Sequence, residues 1–307
     1  MSIQIQSEPL VSVCIITYNS QDYILEALDS VANQTYRNLE LIISDDCSHD
    51  KTVEICRQWL ASNYKRFMNS EIVTIEKNTG VSANCNRAVK RCKGQWVKYF
   101  AGDDKLLPNC IVDNINFIKE HPSTDVLFSD MVVIGDYISE KIIDSRHIYF
   151  EKLTKGEFKR RLLYQNFLPA PSSFYSKVVF DKVGGYDENI PFMEDKPFFL
   201  RAVLDNRILS YMKKTTICYR KHSNSLSNIK DANPKYLESC KQLNDWVLQS
   251  IQRNYPALWL YMRNMDMYNS NPTKWNYMCH LLRFINPAYY IHVYIDYKIR
   301  FFCHFSK

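Results

Sequence analysis

Several features that define common protein classes are scarce or missing in this sequence. It has only 7 glycines among 307 residues, and no GxGxxG follows its first strand-like run, which excludes a Rossmann dehydrogenase. No apolar run approaches the roughly 18 residues of a membrane-spanning helix. The first twenty residues carry neither a basic segment nor a long apolar one, so we expect no signal peptide and a cytosolic protein.

The cysteines and the charges exclude two further classes. The 10 cysteines are scattered, with no CxxC pair and no Cys/His spacing of a zinc site, and we interpret them as reduced thiols. The net charge of +6 is too small for a nucleic-acid-binding surface, so we expect no nucleic-acid partner. Its sign favours anionic partners, either phosphates or lipid head groups.

Strand-like and helical patterns alternate along the first third of the chain. The strand-like runs are Val11–Thr17, Leu39–Ile43, Glu71–Ile75 and Gln95–Phe100. Helical spacing follows them at Asp22–Ala32, Lys51–Leu60, Val81–Cys92 and from Pro108. This alternation predicts an α/β fold with a doubly wound, mostly parallel sheet flanked by helices.

The pattern changes after Asp130. We expect an antiparallel excursion around Gly135-Asp136, a helix over 151–166, a loop and edge strand within 167–176, and helices at Lys177–Val183 and Asp195–Leu204. We place a catalytic domain at residues 1–230 and a helical C-terminal extension at 231–307.

Residues 278–307 are basic and rich in aromatic side chains. They carry four lysines and arginines against Asp296 alone. Such a segment is typical of a helix that lies on an anionic membrane surface. Aromatic residues are equally common in packed helices, so docking on the catalytic domain or a homodimer contact stays an alternative.

Polar groups follow each of the first four predicted strands. They are Thr17-Tyr18-Asn19, Asp45-Asp46, Asn78-Thr79-Gly80 and Asp103-Asp104. In an open α/β sheet, ligands bind at the carboxyl ends of the strands, so these groups are expected to converge. Carboxylates there can approach an anionic diphosphate only through a hard divalent cation. A carboxylate at the second strand can instead accept a hydrogen bond from a base or a sugar.

The ordered motifs resemble those of the inverting glycosyltransferases of family 2, which have the GT-A fold. The segment from Pro9 contains the family's opening strand with Tyr18-Asn19, then QTY at residues 34–36 and DDCSHD at residues 45–50. AGDDKLLP resembles its DxD-type element, FMEDKPFFLRA its ED element, and YRKHSNSLS its late Arg-x-His segment. The resemblance covers residues 9 to about 228 and is typical of bacterial polysaccharide enzymes.

This resemblance implies a role for each matching residue. Thr17 and Asp45 would contact the nucleoside beside Tyr18 and Asn19. Asp103 would bind ribose or sugar hydroxyls, and Asp104 would hold Mn²⁺ or Mg²⁺ at the diphosphate. Asp195 would be the general base and Glu194 would position donor or acceptor, while Arg220, His222 and Ser225 would close over the pyrophosphate.

One helix departs from the family pattern. Where many members have an arginine in the third helix, this sequence has Cys85. Arg87 lies about 200° further around a helix and cannot simply replace it. Arg87 and Lys98 are candidates for the missing charge, and Asn86 is a further candidate for nucleotide-sugar binding.

The predicted function is transfer of a hexose from a nucleotide-sugar, expected to be a UDP-sugar, to a saccharide or lipid-linked acceptor in surface polysaccharide (O-antigen or capsule) synthesis. One alternative is a sugar-nucleotide or nucleotidyl-transfer enzyme, although the glycine-rich phosphate loop expected after its first strand is missing. The other is a non-catalytic binding module, against which the joint presence of Asp45, Asp104 and Asp195 speaks.

Overall fold

The structure is a computed structural model of the chain. It describes residues 8–135, 141–143, 146–223, 234–251, 256, 260, 262–263 and 286–305. The chain divides into two compact units: Met1–His147 with Leu168–Leu237, and Ile148–Phe167 with Glu238–Lys307. The domain boundary expected after residue 230 stays a prediction, and the contacts group 148–167 with the C-terminal residues.

The first unit contains one sheet of nine strands in the described part of the chain. The strands are β1 Val11–Thr17, β2 Leu39–Asp45, β3 Asn69–Val73, β4 Trp96–Ala101, β5 Lys105–Leu106, β6 Val126–Gly135, β7 Lys141–Ile143, β8 Phe174–Ser176 and β9 Leu209–Lys221. Their order is β3-β2-β1-β4-β8-β6-β9-β5, with β7 beside β6. The strands β3, β2, β1 and β4 run parallel, as do β6 and β9.

Helices flank this sheet and build the second unit. They are α1 Ile24–Ala32, α2 Thr52–Asn63, α3 Val81–Arg91, α4 Cys110–Glu120, α5 His147–Lys152, α6 Lys155–Tyr164, α7 Lys177–Lys182, α8 Asp195–Leu204, α9 Pro234–Ile251 and α10 Pro287–Phe305. Every residue of β1 and β2 is buried, which agrees with the mostly apolar sequence of β1. The strand predicted at Glu71–Ile75 lies two residues earlier, at the sheet edge.

The interpretation of residues 167–176 as containing an edge strand was wrong. Strand β8 lies inside the sheet, antiparallel to β4 on one side and to β6 on the other. Pro169 and Pro171 precede the strand, so all three of its residues keep their backbone N–H for pairing. Strands β5 and β9, which pair with each other, were not predicted.

The single helix expected over 151–166 is two helices in the structure. Thr154 accepts a hydrogen bond from the backbone N–H of Glu157, whose side chain accepts one from Thr154 N, so a capping box starts α6. Within the second unit, Arg161 pairs with Asp296 at 2.6 Å and Glu157 with Lys298 at 2.9 Å. These pairs join α6 to α10.

The antiparallel excursion after Asp130 is confirmed for β6 and β7, which pair from Met131 with Ile143 to Val133 with Lys141. Asp136 of the predicted turn lies outside the described residues.

The QTY motif has a structural role in this protein. The Gln34 side-chain amide donates to Leu107 O and accepts from Ile111 N, and the Tyr36 hydroxyl donates to Pro9 O. Among the described helices, none is long and apolar enough to cross a membrane.

Candidate active site

The carboxyl ends of β1 and β2 meet through Thr17 and Asp45. The strands are in register there, and the Thr17 hydroxyl donates to Asp45 Oδ2 at 2.7 Å. Ser48 donates its N–H to Asp45 Oδ1 at 2.8 Å and its hydroxyl to Oδ2 at 2.5 Å. Since a carboxylate oxygen can accept two hydrogen bonds, Asp45 Oδ1 keeps acceptor capacity for one more donor.

Tyr18 and Asn19 form the exposed rim beside this pair. Tyr18 is 47% exposed, and Asn19 takes a left-handed backbone conformation with φ of 50°. The Asn19 amide oxygen accepts a hydrogen bond from His49 N at 2.9 Å, and Asn19 N donates to Ser48 Oγ at 2.8 Å. The Asn19 side chain therefore stabilises the loop that carries Ser48.

Asp46 has a different task from its neighbour Asp45. Its carboxylate accepts hydrogen bonds from Thr79 N, Gly80 N and the Thr79 hydroxyl, and it forms an ion pair with Arg87 at 2.8 Å. Arg87 also donates to Asn84. This cation is already engaged, so the structure places it against Asp46 and the start of α3.

The Asp103-Asp104 turn, which follows β4, is covered by the end of β9. Asp104 Oδ1 accepts a hydrogen bond from Arg220 N at 2.7 Å, and the Asp103 carbonyl accepts one from Arg220 Nε at 2.8 Å. His222 Nε2 lies 3.0 Å from Asp103 Oδ2. The structure thus brings together four of the predicted residues, and the like-charged aspartates have a guanidinium and an imidazole beside them.

Burial and the neighbouring Asp103 carboxylate raise the pKa of Asp104, and the hydrogen bond from Arg220 N counteracts this. Two adjacent carboxylates supply the hard oxygen donors that Mg²⁺ and Mn²⁺ prefer, so the residues fit such an ion. Among the described residues, no group of three or more His, Cys, Asp or Glu side chains could hold a metal alone. A metal here would need further oxygen ligands from a bound diphosphate.

Glu194 and Asp195 lie where α8 begins. Burial, together with the Asp195 charge, raises the pKa of Glu194 to about 8, so Glu194 is mostly neutral at pH 7. The Asp195 carboxylate accepts a hydrogen bond from Lys196 N at 2.6 Å. Burial and the charges of both acids raise the pKa of Tyr99 in β4, so the pair lies near the strand that leads to Asp103.

Three of the residues predicted to bind the nucleotide-sugar need separate comment, because two of them are buried and one lies outside the described residues. Lys98 has no exposed surface, and its ammonium donates to Pro171 O at 2.7 Å and Ser173 O at 3.3 Å. The Asn86 amide is occupied by Tyr186 and Glu188. The complete burial of Lys98 is a correction to its expected placement. Asn86 lines a cavity together with Lys90 and Glu188, and its role in nucleotide-sugar binding stays a prediction. Ser225 lies outside the described residues.

Two neighbours of the site were not anticipated. Glu26 of α1 forms an ion pair with Arg220 at 2.8 Å, and the Arg220 guanidinium lies 4.8 Å from the centre of the Tyr23 ring. The Tyr23 ring also lies 4.8 Å from the His222 ring. The sequence offers no signal for these contacts, because α1 and the end of β9 are almost 200 residues apart.

With this geometry in view, the class of the protein follows from a family match. Residues 12–184, more than half of the chain, match glycosyl transferase family 2, and the chain belongs to that family. An uncharacterized glycosyltransferase of Rickettsia typhi is 29% identical over 198 residues, which are 61% of this chain and 56% of the relative. The chain therefore spans little more than half the length of that relative.

A second relative has a more specific name. The poly(ribitol-phosphate) beta-N-acetylglucosaminyltransferase TarS of Staphylococcus aureus is 27% identical over 221 residues, 68% of this chain and 35% of TarS. The solved TarS 1–349 has a TM-score of 0.61 at 23% identity, covering 82% of this chain and 68% of that one. Its complex with UDP-GlcNAc has a TM-score of 0.59 at 21% identity, covering 94% and 89%.

A third solved structure is more distant. The mannosyltransferase PcManGT of Pyrobaculum calidifontis, in complex with GDP-Man and Mn²⁺, has a TM-score of 0.52 at 15% identity, covering 90% of this chain and 86% of that one. At such identities the similarity concerns the fold. The predicted GT-A type architecture, a mostly parallel sheet flanked by helices with helices at the C-terminal end, is confirmed.

Proposed function

We propose that this protein is an inverting glycosyltransferase that moves a hexose from a UDP-sugar to a hydroxyl of a saccharide or lipid-linked acceptor in bacterial surface polysaccharide synthesis. The observation that carries the proposal is the Asp103-Asp104 turn at the carboxyl end of β4, with Arg220 and His222 upon it. It lies at the same sheet edge as Thr17 and Asp45, because β1 is paired with both β2 and β4.

The nucleoside would bind at the ends of β1 and β2. Asp45 Oδ1 has capacity for one more donor, which suits the N–H of a uracil base. Thr17 and Ser48 fix the orientation of that carboxylate, and Tyr18 offers an exposed ring beside it. The UDP and UDP-GlcNAc complexes of TarS, a protein of the same fold, support a uridine nucleotide as donor.

A single displacement requires a base for the acceptor hydroxyl and cations for the leaving diphosphate. In this proposal, Asp195 accepts the proton from the acceptor as the new bond forms, and Glu194, mostly neutral at pH 7, donates a hydrogen bond to donor or acceptor. Arg220 and His222 stabilise the leaving diphosphate. A single acidic base and no protein nucleophile are consistent with inversion at the anomeric carbon.

Asp104 would hold Mn²⁺ or Mg²⁺, because its carboxylate oxygens suit such an ion, and Asp103 would bind ribose or sugar hydroxyls. When bound, the ion would neutralise charge that develops on the diphosphate. The Mn²⁺ complex of PcManGT supports a divalent cation in this fold. Arg87, whose charge is used by Asp46, is in this proposal a positioning residue rather than a phosphate ligand.

We also propose that the protein acts at the cytoplasmic face of the membrane, where lipid-linked acceptors reside. Helix α10 supports attachment through residues 278–307. Its outward side chains include Tyr290, Val293, Tyr294 and Tyr297, which are 46–66% exposed and follow helical spacing. The same face is also suited to a homodimer contact, and co-sedimentation with vesicles together with size-exclusion chromatography separates the two.

The test of the function is nucleotide release from a panel of UDP-, dTDP- and GDP-sugars, with and without Mn²⁺. We expect release of UDP from at least one UDP-hexose, only when Mn²⁺ or Mg²⁺ is present. Binding of UDP without any turnover across acceptors would favour the non-catalytic binding module. Release of pyrophosphate from UTP and a sugar phosphate would favour nucleotidyl transfer.

The metal assignment has its own test. Asp104→Asn removes one anionic oxygen from the turn, so we expect UDP affinity in the presence of Mn²⁺ to fall at least tenfold. Calorimetry measures this, with Asp113→Asn, in an exposed pair with Lys214, as the matched control. UDP binding that is unaffected by both Asp104→Asn and a chelator would contradict the assignment.

A further inference from the structure

The start of α1 contacts both Arg220 and His222, the two residues that lie on the Asp103-Asp104 turn. The Tyr23 ring has the Arg220 guanidinium 4.8 Å from its centre and the His222 ring at the same distance. One turn further along the helix, Glu26 binds the Arg220 guanidinium at 2.8 Å. The Arg220 side chain is 12% exposed, so these neighbours surround most of it.

This part of α1 is itself fixed relative to the turn. Gly102, directly before Asp103, donates its N–H to Ile16 O at 2.9 Å. A β-carbon at Gly102 would lie 3.0 Å from Thr17 Cγ2 and 3.1 Å from Ile24 Cδ1, so the turn packs closely on the chain around α1. Ser20 N also donates to Thr52 Oγ1 at 2.8 Å, which holds the approach to α1.

We infer that Tyr23 and Glu26 are positioning residues that hold Arg220 and His222 over the Asp103-Asp104 turn. Arg220 bonds to this turn through its backbone N–H and Nε, which leaves Nη2 for Glu26 and the guanidinium face for Tyr23. Stacking on an aromatic face and a carboxylate partner together restrict the long arginine side chain. The Arg220 and His222 side chains would therefore be in place before a diphosphate binds, which lowers the entropic cost of binding.

This inference rests on the proposed function for its kinetic effect, although the contacts themselves do not. Tyr23 contacts Arg220 and His222, and Glu26 contacts Arg220. Glu26 is half exposed and also lies 3.6 Å from Lys105. An exposed ion pair contributes little alone, so the ring of Tyr23 is expected to make the larger contribution.

The experiment compares Tyr23→Ala, Tyr23→Phe and Glu26→Gln by nucleotide release and by UDP calorimetry. We expect Tyr23→Ala to lower kcat/KM by about tenfold, since it removes the stacking surface, and Tyr23→Phe to stay within about twofold of wild type. The kcat/KM of Glu26→Gln should lie between the values of these two variants. Tyr64→Ala, at a tyrosine that is 53% exposed on another face, is the matched control and should change nothing.

A double-mutant cycle separates positioning from a general structural effect. In a variant that already carries Arg220→Ala and His222→Ala, adding Tyr23→Ala should lower kcat/KM by less than a further twofold, because the side chains that Tyr23 positions are no longer present. Additive losses would overturn the inference. If the wild type releases no nucleotide, the proposed function fails. The same cycle is then measured on the urea concentration at the unfolding midpoint. Additive shifts of that midpoint would show that Tyr23 does not interact with Arg220 and His222.

Discussion

Adjacent aspartates at two strand ends serve different purposes. Asp45 binds Thr17 and Ser48 and keeps acceptor capacity, whereas Asp46 is saturated by the start of α3 and Arg87. At the other strand end, both carboxylates are held by the end of β9. The two Asp-Asp dipeptides look alike in the sequence, but of their four carboxylates that of Asp46 has a structural role.

The role of Asp195 is tested by Asp195→Asn, which keeps the shape of the side chain and removes its basicity. We expect kcat to fall by about 10²–10⁴-fold, the usual contribution of a general base, while UDP affinity changes less than about threefold. Nucleotide release and calorimetry measure the two quantities. Asp205→Asn, an exposed aspartate paired with Arg207 just after the same helix, is the control. Equal losses of kcat and affinity would contradict the assignment.

Glu194 predicts a specific pH dependence of stability. Its pKa is raised from the ordinary 4.5 to about 8, so the folded protein holds a proton there that the unfolded chain loses from pH 4.5 upward. This stabilising contribution is complete below pH 4.5 and is lost as the pH rises through 8. Between pH 6 and 9, the Tm of the wild type should therefore fall more than that of Glu194→Gln.

The two lowered lysine pKa values do not obscure this comparison. Burial lowers the pKa of Lys98 and of Lys196 to about 8, and their effect has the opposite sign because the unfolded chain binds more protons above that pH. Both lysines are present in wild type and variant, so the difference in Tm isolates Glu194. Parallel pH profiles in differential scanning fluorimetry would show that Glu194 ionises normally.

Site residues were predictable where a motif follows a strand and less so where a partner comes from far along the chain. Asp103 and Asp104 follow β4 directly, and their placement at a strand end matched the sequence pattern. Lys98 looked available for a phosphate, yet its ammonium is taken by carbonyls at 171 and 173. A sequence pattern cannot reveal such a partner, because it depends on how β8 enters the sheet.

The strands and helices whose apolar residues follow one regular spacing were predicted well. Strands β1 and β2 and helix α1 have clear patterns, and their positions were confirmed within a few residues. Strand β9 was missed because its register with β6 shifts twice between Ser129 and Met131. The shift interrupts the alternation of inward and outward residues that identifies a strand.

Helix α10 predicts a membrane contact through its outer face. Its inner positions Ala288, Ile295 and Ile299 are buried, whereas tyrosines occupy much of the exposed side. Tyrosine rings favour the interface of a bilayer. Replacing Tyr290, Tyr294 and Tyr297 together by serine should abolish most co-sedimentation with vesicles that contain phosphatidylglycerol.

The control for this experiment is Tyr64→Ser, which changes an exposed tyrosine of the other unit. Vesicles of phosphatidylcholine alone should bind the wild type more weakly, because the head-group attraction is then missing. Unchanged co-sedimentation of the triple variant would contradict the membrane contact. A change of elution volume in size-exclusion chromatography would instead favour the homodimer contact.

The short strand β8 has a consequence for the order in which the protein folds. Strands β1 to β4 come from one continuous stretch, 11–101, and pair without any later residue. The sheet can extend beyond β4 only after residues 174–176 have been synthesised, because Trp96 of β4 pairs with Ser176 of β8. Contacts between distant segments form slowly and late, so a nascent chain is expected to pair its first four strands before the later strands join the sheet.

Pulse-labelled hydrogen exchange during refolding tests this order: amides of β1, β2 and β4 should gain protection before those of β6, β8 and β9. Simultaneous protection would contradict it. Because Arg220 lies at the end of β9, the ribosome would release strands β1 to β4 long before it releases the residues that cover the Asp103-Asp104 turn. Until then, Asp103 and Asp104 would face water without the hydrogen bonds from Arg220.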